Sequence, residues 1–160
     1  LGWVLAGGNC MIGDINGKMM LAHAATFQGI VALDHIMGIE NNIDLSVMPA
    51  AVFTTPEAAS VGMTEDECKE AGRSVKCMKS FFRANGKAVT MAQTDGFCKL
   101  VVDAETGEIL GCHLFGPHAS DIVQEVCALI SRKATIEQFK DIIHTHPTLT
   151  EVLQSAAHNG

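Results

Sequence analysis

At 160 residues the chain is long enough for one domain with its own core, or for one domain and a piece of another. Its 11 Lys and Arg against 18 Asp and Glu give a formal charge of -7, so a grip on nucleic acid through the phosphate backbone lacks its main energy source. Hydrophobic residues reach 48% and mean hydropathy is +0.22, which points to buried interface, since no apolar run attains the roughly eighteen residues of a membrane span.

The chain opens on Leu1 rather than Met, as a piece of a longer polypeptide would. Its start, LGWVLAGGNCMIGD, has no basic n-region and is broken by glycines, so it does not read as a signal peptide. Residues 1–14 read as a loop and a short apolar strand over 10–12 that ends in Gly13-Asp14, and Asn16-Gly17 marks a turn. Residues 21–37, LAHAATFQGIVALDHIM, are apolar nearly all round and predict a buried helix ended by Gly38. The acidic, polar stretch IENNIDLS places a boundary between a first domain, 1–40, and a second, 47–160.

Beyond the boundary the texture changes to short strand-like runs. AAVFT (50–54) and SVG (60–62) flank a turn at Thr55-Pro56, and Thr64 with Glu67 forms a capping box that opens a short helix stopped by Gly72. Strands are predicted over 74–82, 97–103 and 108–116, the last two joined by a turn at 104–107. Ser120 can cap a helix whose inward face is Ile122, Val123, Val126, Cys127 and Ile130, followed by helices over 135–142 and 149–157. Strands followed by helices, without strict alternation, predict an α+β fold: an antiparallel sheet flanked by helices on one side. The six cysteines show no C-x-x-C and no close pairing, which fits free thiols in a reducing cytoplasm.

The chemistry concentrates in HTHPTLTE, residues 144–151. His144, His146 and Glu151 could supply three ligands to zinc, although no fourth lies nearby in sequence. Alternatively, Pro147 forces an extended or turned backbone at His146, and a helix beginning near Thr148 would let Glu151 fold back on the imidazole. A carboxylate on one ring nitrogen sets the tautomer and leaves the other as a base. A third reading has Glu151 as a helix-start carboxylate beside a packed His146, with no chemistry at all. His144 reads as structural on any of the last two.

HPTLTE resembles the C-terminal H-P-T-x-[ST]-E signature of the FAD-dependent pyridine nucleotide-disulfide oxidoreductases, and in its H-x-H-P-T-L form the dihydrolipoamide dehydrogenase branch. IGDINGKMMLAHAA resembles the family's second FAD-binding motif, PAAVFTTPEAASVG the first segment of its dimerisation domain, and FRANGKA and GEILGCHLFGPHASDIV the strands and helix that follow. The resemblance implies a role for Asp14 at the ribitol of FAD, and places Met20, Leu21, Ala22 and His23 beside the flavin pyrimidine at a helix N-terminus. It implies that His146 takes a thiol proton, that Glu151 orients it, and that the redox disulfide served lies on the partner subunit of a homodimer. The expected reaction passes electrons from dihydrolipoamide, carried by a lipoyl-bearing protein of a 2-oxoacid dehydrogenase complex, through FAD to NAD+.

Two parts of that pattern are missing. No two cysteines have the C-x4-C spacing of the redox pair, and Gly7-Gly8 leads into no G-x-G-x-x-G fingerprint. The chain therefore reads as the end of the FAD domain plus the dimerisation domain, inactive on its own. A glutathione or mercuric reductase-like enzyme and a pure dimerisation module are the alternatives.

Overall fold

The computed structural model describes residues 4–5 and 9–160. The chain divides into two compact units, Leu1–Met48 and Pro49–Gly160.

In the first unit β1 (Val4–Leu5) and β2 (Asn9–Cys10) pair antiparallel. The strand anticipated over 10–12 ends at Cys10, while the rest of the anticipated loop at 1–3 and 6–8, with Gly7-Gly8, lies outside the described residues. A 3-10 turn, Gly13–Asn16, leads to α1 (Ala22–Met37), which Gly38 ends in the left-handed region as anticipated. The helix is not buried, however. Of its described residues only Ala24 and Gln28 are fully buried, and Phe27, Leu33, Ile36 and Met37 stay exposed, because among the described residues the unit has no second helix or broad sheet to cover an all-round apolar helix. Gln28 ties the two together: its Oε1 accepts from the Gly13 N–H at 2.7 Å and from Asn16 Nδ2 at 2.8 Å.

The second unit is built on an antiparallel sheet of order β3-β4-β7-β6-β5: β3 (Ala50–Val52), β4 (Glu57–Gly62), β5 (Val75–Phe81), β6 (Phe97–Asp103) and β7 (Ile109–Gly116). β6 has the anticipated bounds. β3 stops two residues early and β4 begins three residues early, since the register from Glu57↔Gly116 to Gly62↔Gly111 recruits the whole EAASVG run as partner to β7.

Register decides what each face carries. Ser80, Cys98, Leu114 and Ala59 fall in one cross-strand row, all buried, and this face takes α4 (Ala119–Ser131) and α6 (Glu151–His158). Ser80 Oγ donates to the Val152 carbonyl of α6 at 2.6 Å, and Glu57, of the same parity, holds Ser120 of α4. Cys77 and Val101 point the other way, onto Cys68 of α2 (Glu65–Glu70). The helices therefore do not all lie on one side.

Local signals explain most helix ends. The Thr64 and Glu67 capping box is present, and a second one, Thr135 with Gln138, opens α5 (Ile136–Lys140). Ser120 is not the cap of α4: His118 occupies that position with φ 54, and Ser120 lies inside the first turn. Its N–H and hydroxyl both donate to Glu57 Oε2, at 2.9 and 2.7 Å, so a strand carboxylate satisfies the helix start. Of the anticipated inward face, Ile122, Val123, Val126 and Cys127 are buried and Ile130 is half-buried. The last helix starts at Glu151 rather than 149, and α3 (Gly86–Thr90), capped by Asn85, corresponds to none of the predicted elements.

The turn between β6 and β7 is organised by Asp103, whose carboxylate accepts from the N–H groups of Glu105 and Thr106 and from the Arg73 guanidinium. The Thr106 N–H, then Arg73, then the Glu105 N–H bring its pKa from 3.8 down to about 2. A carboxyl with a depressed pKa stabilises the fold above its ordinary value, and that contribution fades as pH falls toward the lowered one. Asp103→Asn is expected to lower Tm at neutral pH, with the gap to the unmodified protein closing as pH falls from 3.8 toward about 2. Thermal melts at stepped pH check this, and a gap independent of pH would contradict it.

Candidate acid–base site

HTHPTLTE bridges α5 to α6, and its proline has the effect the sequence implies: helix resumes only at Glu151, with His146 on an extended or turned approach and the His146-Pro147 bond cis. Glu151, the first residue of α6, turns its carboxylate back along the chain. Oε2 accepts from the Thr148 N–H at 2.7 Å, and Oε1 lies 2.9 Å from His146 Nδ1. The same side chain thus ties down a backbone amide just ahead of the helix and holds the imidazole.

A carboxylate offers only acceptors, so Nδ1 carries the hydrogen of this bond and Nε2 is left with its lone pair. Among the described residues nothing bonds to Nε2, and the His146 side chain is 78% exposed against 21% for Glu151. The Thr148 N–H first, and His146 second, hold the Glu151 carboxyl below the usual range for a glutamate. The carboxylate is therefore ionised wherever the imidazole would work as a base.

His144 has a different setting. Its side chain is 5% exposed, Nδ1 lies 3.1 Å from the Ile142 carbonyl, Nε2 lies 3.0 Å from Glu125 Oε1, and Phe139 meets the ring edge-on at 5.3 Å. Each ring nitrogen already faces a protein oxygen, so neither is open to a substrate. The two histidines serve different carboxylates, so the arrangement does not assemble the His144, His146 and Glu151 zinc set, and among the described residues no three His, Cys, Asp or Glu side chains gather around a metal position. Sequence reasoning missed Glu125, which lies 19 residues from His144 with no spacing rule to connect them.

Of the residues that the resemblance would set near a flavin, Asp14 is exposed on the 3-10 turn and Met20 is 73% exposed. Leu21 is the N-cap residue of α1, with Ala22 and His23 as its first helical residues. Leu21 gives no side-chain cap and no acidic residue lies in the first turn, a setting in which a helix start favours an anionic or electron-rich neighbour.

Residues 48–157 match the pyridine nucleotide-disulphide oxidoreductase dimerisation domain. The chain belongs to this family. It is 44% identical over 149 residues to a dihydrolipoyl dehydrogenase of Synechocystis sp., covering 91% of this chain and 31% of the relative. Against the dihydrolipoyl dehydrogenase of Bacillus subtilis the identity is 43% over 147 residues, with 91% and 31% covered. Among solved structures, LpdA of Mycobacterium tuberculosis superimposes with a TM-score of 0.89 at 27% identity, over 98% of this chain and 34% of that one. The chain thus spans about a third of the length of the relatives it matches. The α+β sheet of the second unit is the family's dimerisation fold, and no helix among the described residues is long and apolar enough to cross a membrane.

The bond from Thr148 to Glu151 has a direct reporter. On acid titration followed by NMR, the Thr148 amide is expected to shift with a midpoint below 4.5, the ordinary glutamate value, as Glu151 takes up its proton and releases the amide. A midpoint at or above 4.5 would contradict the geometry.

Proposed function

We propose that this chain supplies the acid–base half of a dihydrolipoyl dehydrogenase-type active site. The observation that carries the reading is the 2.9 Å bond from His146 Nδ1 to Glu151, which leaves Nε2 exposed with its lone pair open. Nε2 takes the proton of one dihydrolipoamide thiol while Glu151 stabilises the imidazolium that results. The thiolate so formed attacks one sulfur of a redox disulfide: a mixed disulfide forms and the other sulfur leaves as thiolate. The second substrate thiol, deprotonated in turn, closes lipoamide and leaves the enzyme's disulfide reduced to a dithiol.

That disulfide belongs to another part of the enzyme. All six cysteines of this chain are unpaired, and Cys68, Cys98, Cys112 and Cys127 are buried. We place it on the partner subunit of a homodimer, in keeping with the dimerisation domain to which residues 48–157 belong. The names of the relatives favour dihydrolipoamide over glutathione or mercuric ion as substrate, and hence a lipoyl-bearing protein of a 2-oxoacid dehydrogenase complex as partner. Free thiols suit a reducing cytoplasm.

We assign residues 1–40 to the end of the FAD-binding domain and 47–160 to the dimerisation domain, supported by the two compact units and the matched range. FAD, when bound, carries the electron pair from the reduced disulfide to NAD+. In this chain Asp14 would accept hydrogen bonds from the ribitol hydroxyls. The start of α1, at Leu21, Ala22 and His23 beside Met20, would turn its positive end toward the flavin pyrimidine. The exposure of Asp14 and the lack of a capping side chain on Leu21 fit such a ligand.

In the full-length enzyme, His146→Ala is expected to reduce dihydrolipoamide oxidation at least about a hundredfold, in the range for removing a general base. NADH oxidation by a dye that draws electrons from the flavin should persist. Dihydrolipoamide turnover at the unmodified rate would end the acid–base reading. The 160-residue chain alone is expected to show no lipoamide or dye turnover.

A further inference from the structure

FRANGKA contributes nothing to the acid–base pair itself, yet its Asn85 reaches the segment that carries the pair. Asn85 is 6% exposed and both ends of its amide are committed. Oδ1 accepts the Ala88 N–H at 2.9 Å and caps α3, while Nδ2 donates to the Thr148 carbonyl at 3.0 Å. Thr148 is also the residue whose N–H holds Glu151 Oε2. The peptide groups on either side of the Thr148 Cα are therefore both tied, one to the carboxylate and one to Asn85. Two backbone torsions separate those bonds.

We infer that Asn85 is a positioning residue for proton transfer at His146, acting through Thr148 and Glu151 to set the direction of Nε2. The inference rests on the acid–base reading above. His146 is 78% exposed, so packing does little to fix its ring, and its direction is inherited from Glu151. Glu151 takes its own orientation from the Thr148 amide, and the Thr148 backbone is held against α3 by Asn85. The assignment is specific to an amide side chain. One end must accept from α3 while the other donates to a carbonyl; an aspartate would face that carbonyl with a second acceptor, and a serine is too short to cap and reach at once.

The rest of the segment has anchors of its own. Thr148 Oγ1 donates to the Thr145 carbonyl at 2.8 Å, Ser80 Oγ holds Val152 at 2.6 Å, and Glu125 holds His144 at 3.0 Å. Loss of the Asn85 bond therefore loosens the aim of the base without detaching α6.

The test uses the full-length homodimeric flavoenzyme with Asn85→Asp and, as an independent second variant, Asn85→Ser. Both keep an oxygen that can cap α3, and neither donates to Thr148. For NAD+-dependent dihydrolipoamide oxidation, kcat is expected to fall about tenfold while KM stays within about twofold, the pattern of an interaction that matters in the transition state. NADH oxidation by a flavin-reactive dye should stay at the unmodified rate. Full kcat in either folded variant overturns the positioning role, as does an equal loss in the dye reaction, which a general structural defect would produce. His146→Ala measured alongside separates the failures. If it alone loses dihydrolipoamide oxidation, only the positioning role has failed; if it too retains that activity, the acid–base reading has failed and the positioning role with it.

Discussion

One carboxylate carries the arrangement of the candidate site. Glu151 bridges the Thr148 amide, just ahead of α6, and the Nδ1 of His146, so one side chain fixes both the approach to the helix and an imidazole. Each demand supports the other. The amide keeps the carboxyl ionised by holding its pKa down, and an ionised carboxylate forces the tautomer that leaves Nε2 free. Neither protonated Glu151 nor a neutral amide in its place would orient the ring and stabilise its charged form together.

That bridge depends on the sheet beneath it. The face carrying Ser80 and Leu100 receives α6, and the Ser80 hydroxyl fixes the helix through the Val152 carbonyl. On the same face Glu57 completes the start of α4, the helix whose Glu125 then holds His144. The base-bearing segment and the helix after it are thus restrained by side chains of β5, the cap of α3 and α4, while His146 itself stands in the open. A rigid support under an exposed imidazole is what a group needs if its reaction partner comes from elsewhere.

What could be read from the sequence was local. His146 and Glu151 lie five residues apart across a proline, and backbone restriction alone limits where the imidazole can point. The capping box at Thr64 and the strand over 97–103 were legible for the same reason, since their signals sit within a few residues. Long-range partners were not legible. Ser120 read as a cap, but the true satisfier of that helix start is Glu57, 63 residues away and brought there by β4 register. Asn85 carries an ordinary cap signal before Gly86, yet its second bond to Thr148 spans another 63 residues. The all-round apolar pattern of α1 predicts a buried helix; the helix forms, but Phe27, Leu33, Ile36 and Met37 stay exposed.

The central claim is that His146 serves a disulfide on the other subunit, and mixed dimers test it most directly. One subunit would carry His146→Ala with its redox cysteines intact, and the other an intact His146 with those cysteines replaced by serine, each homodimer being inactive. If the base acts across the interface, one of the two sites in the mixed dimer is complete, and about half the unmodified dihydrolipoamide activity should return. If His146 serves the disulfide of its own subunit, both sites are broken, and a mixed dimer without activity would contradict the account.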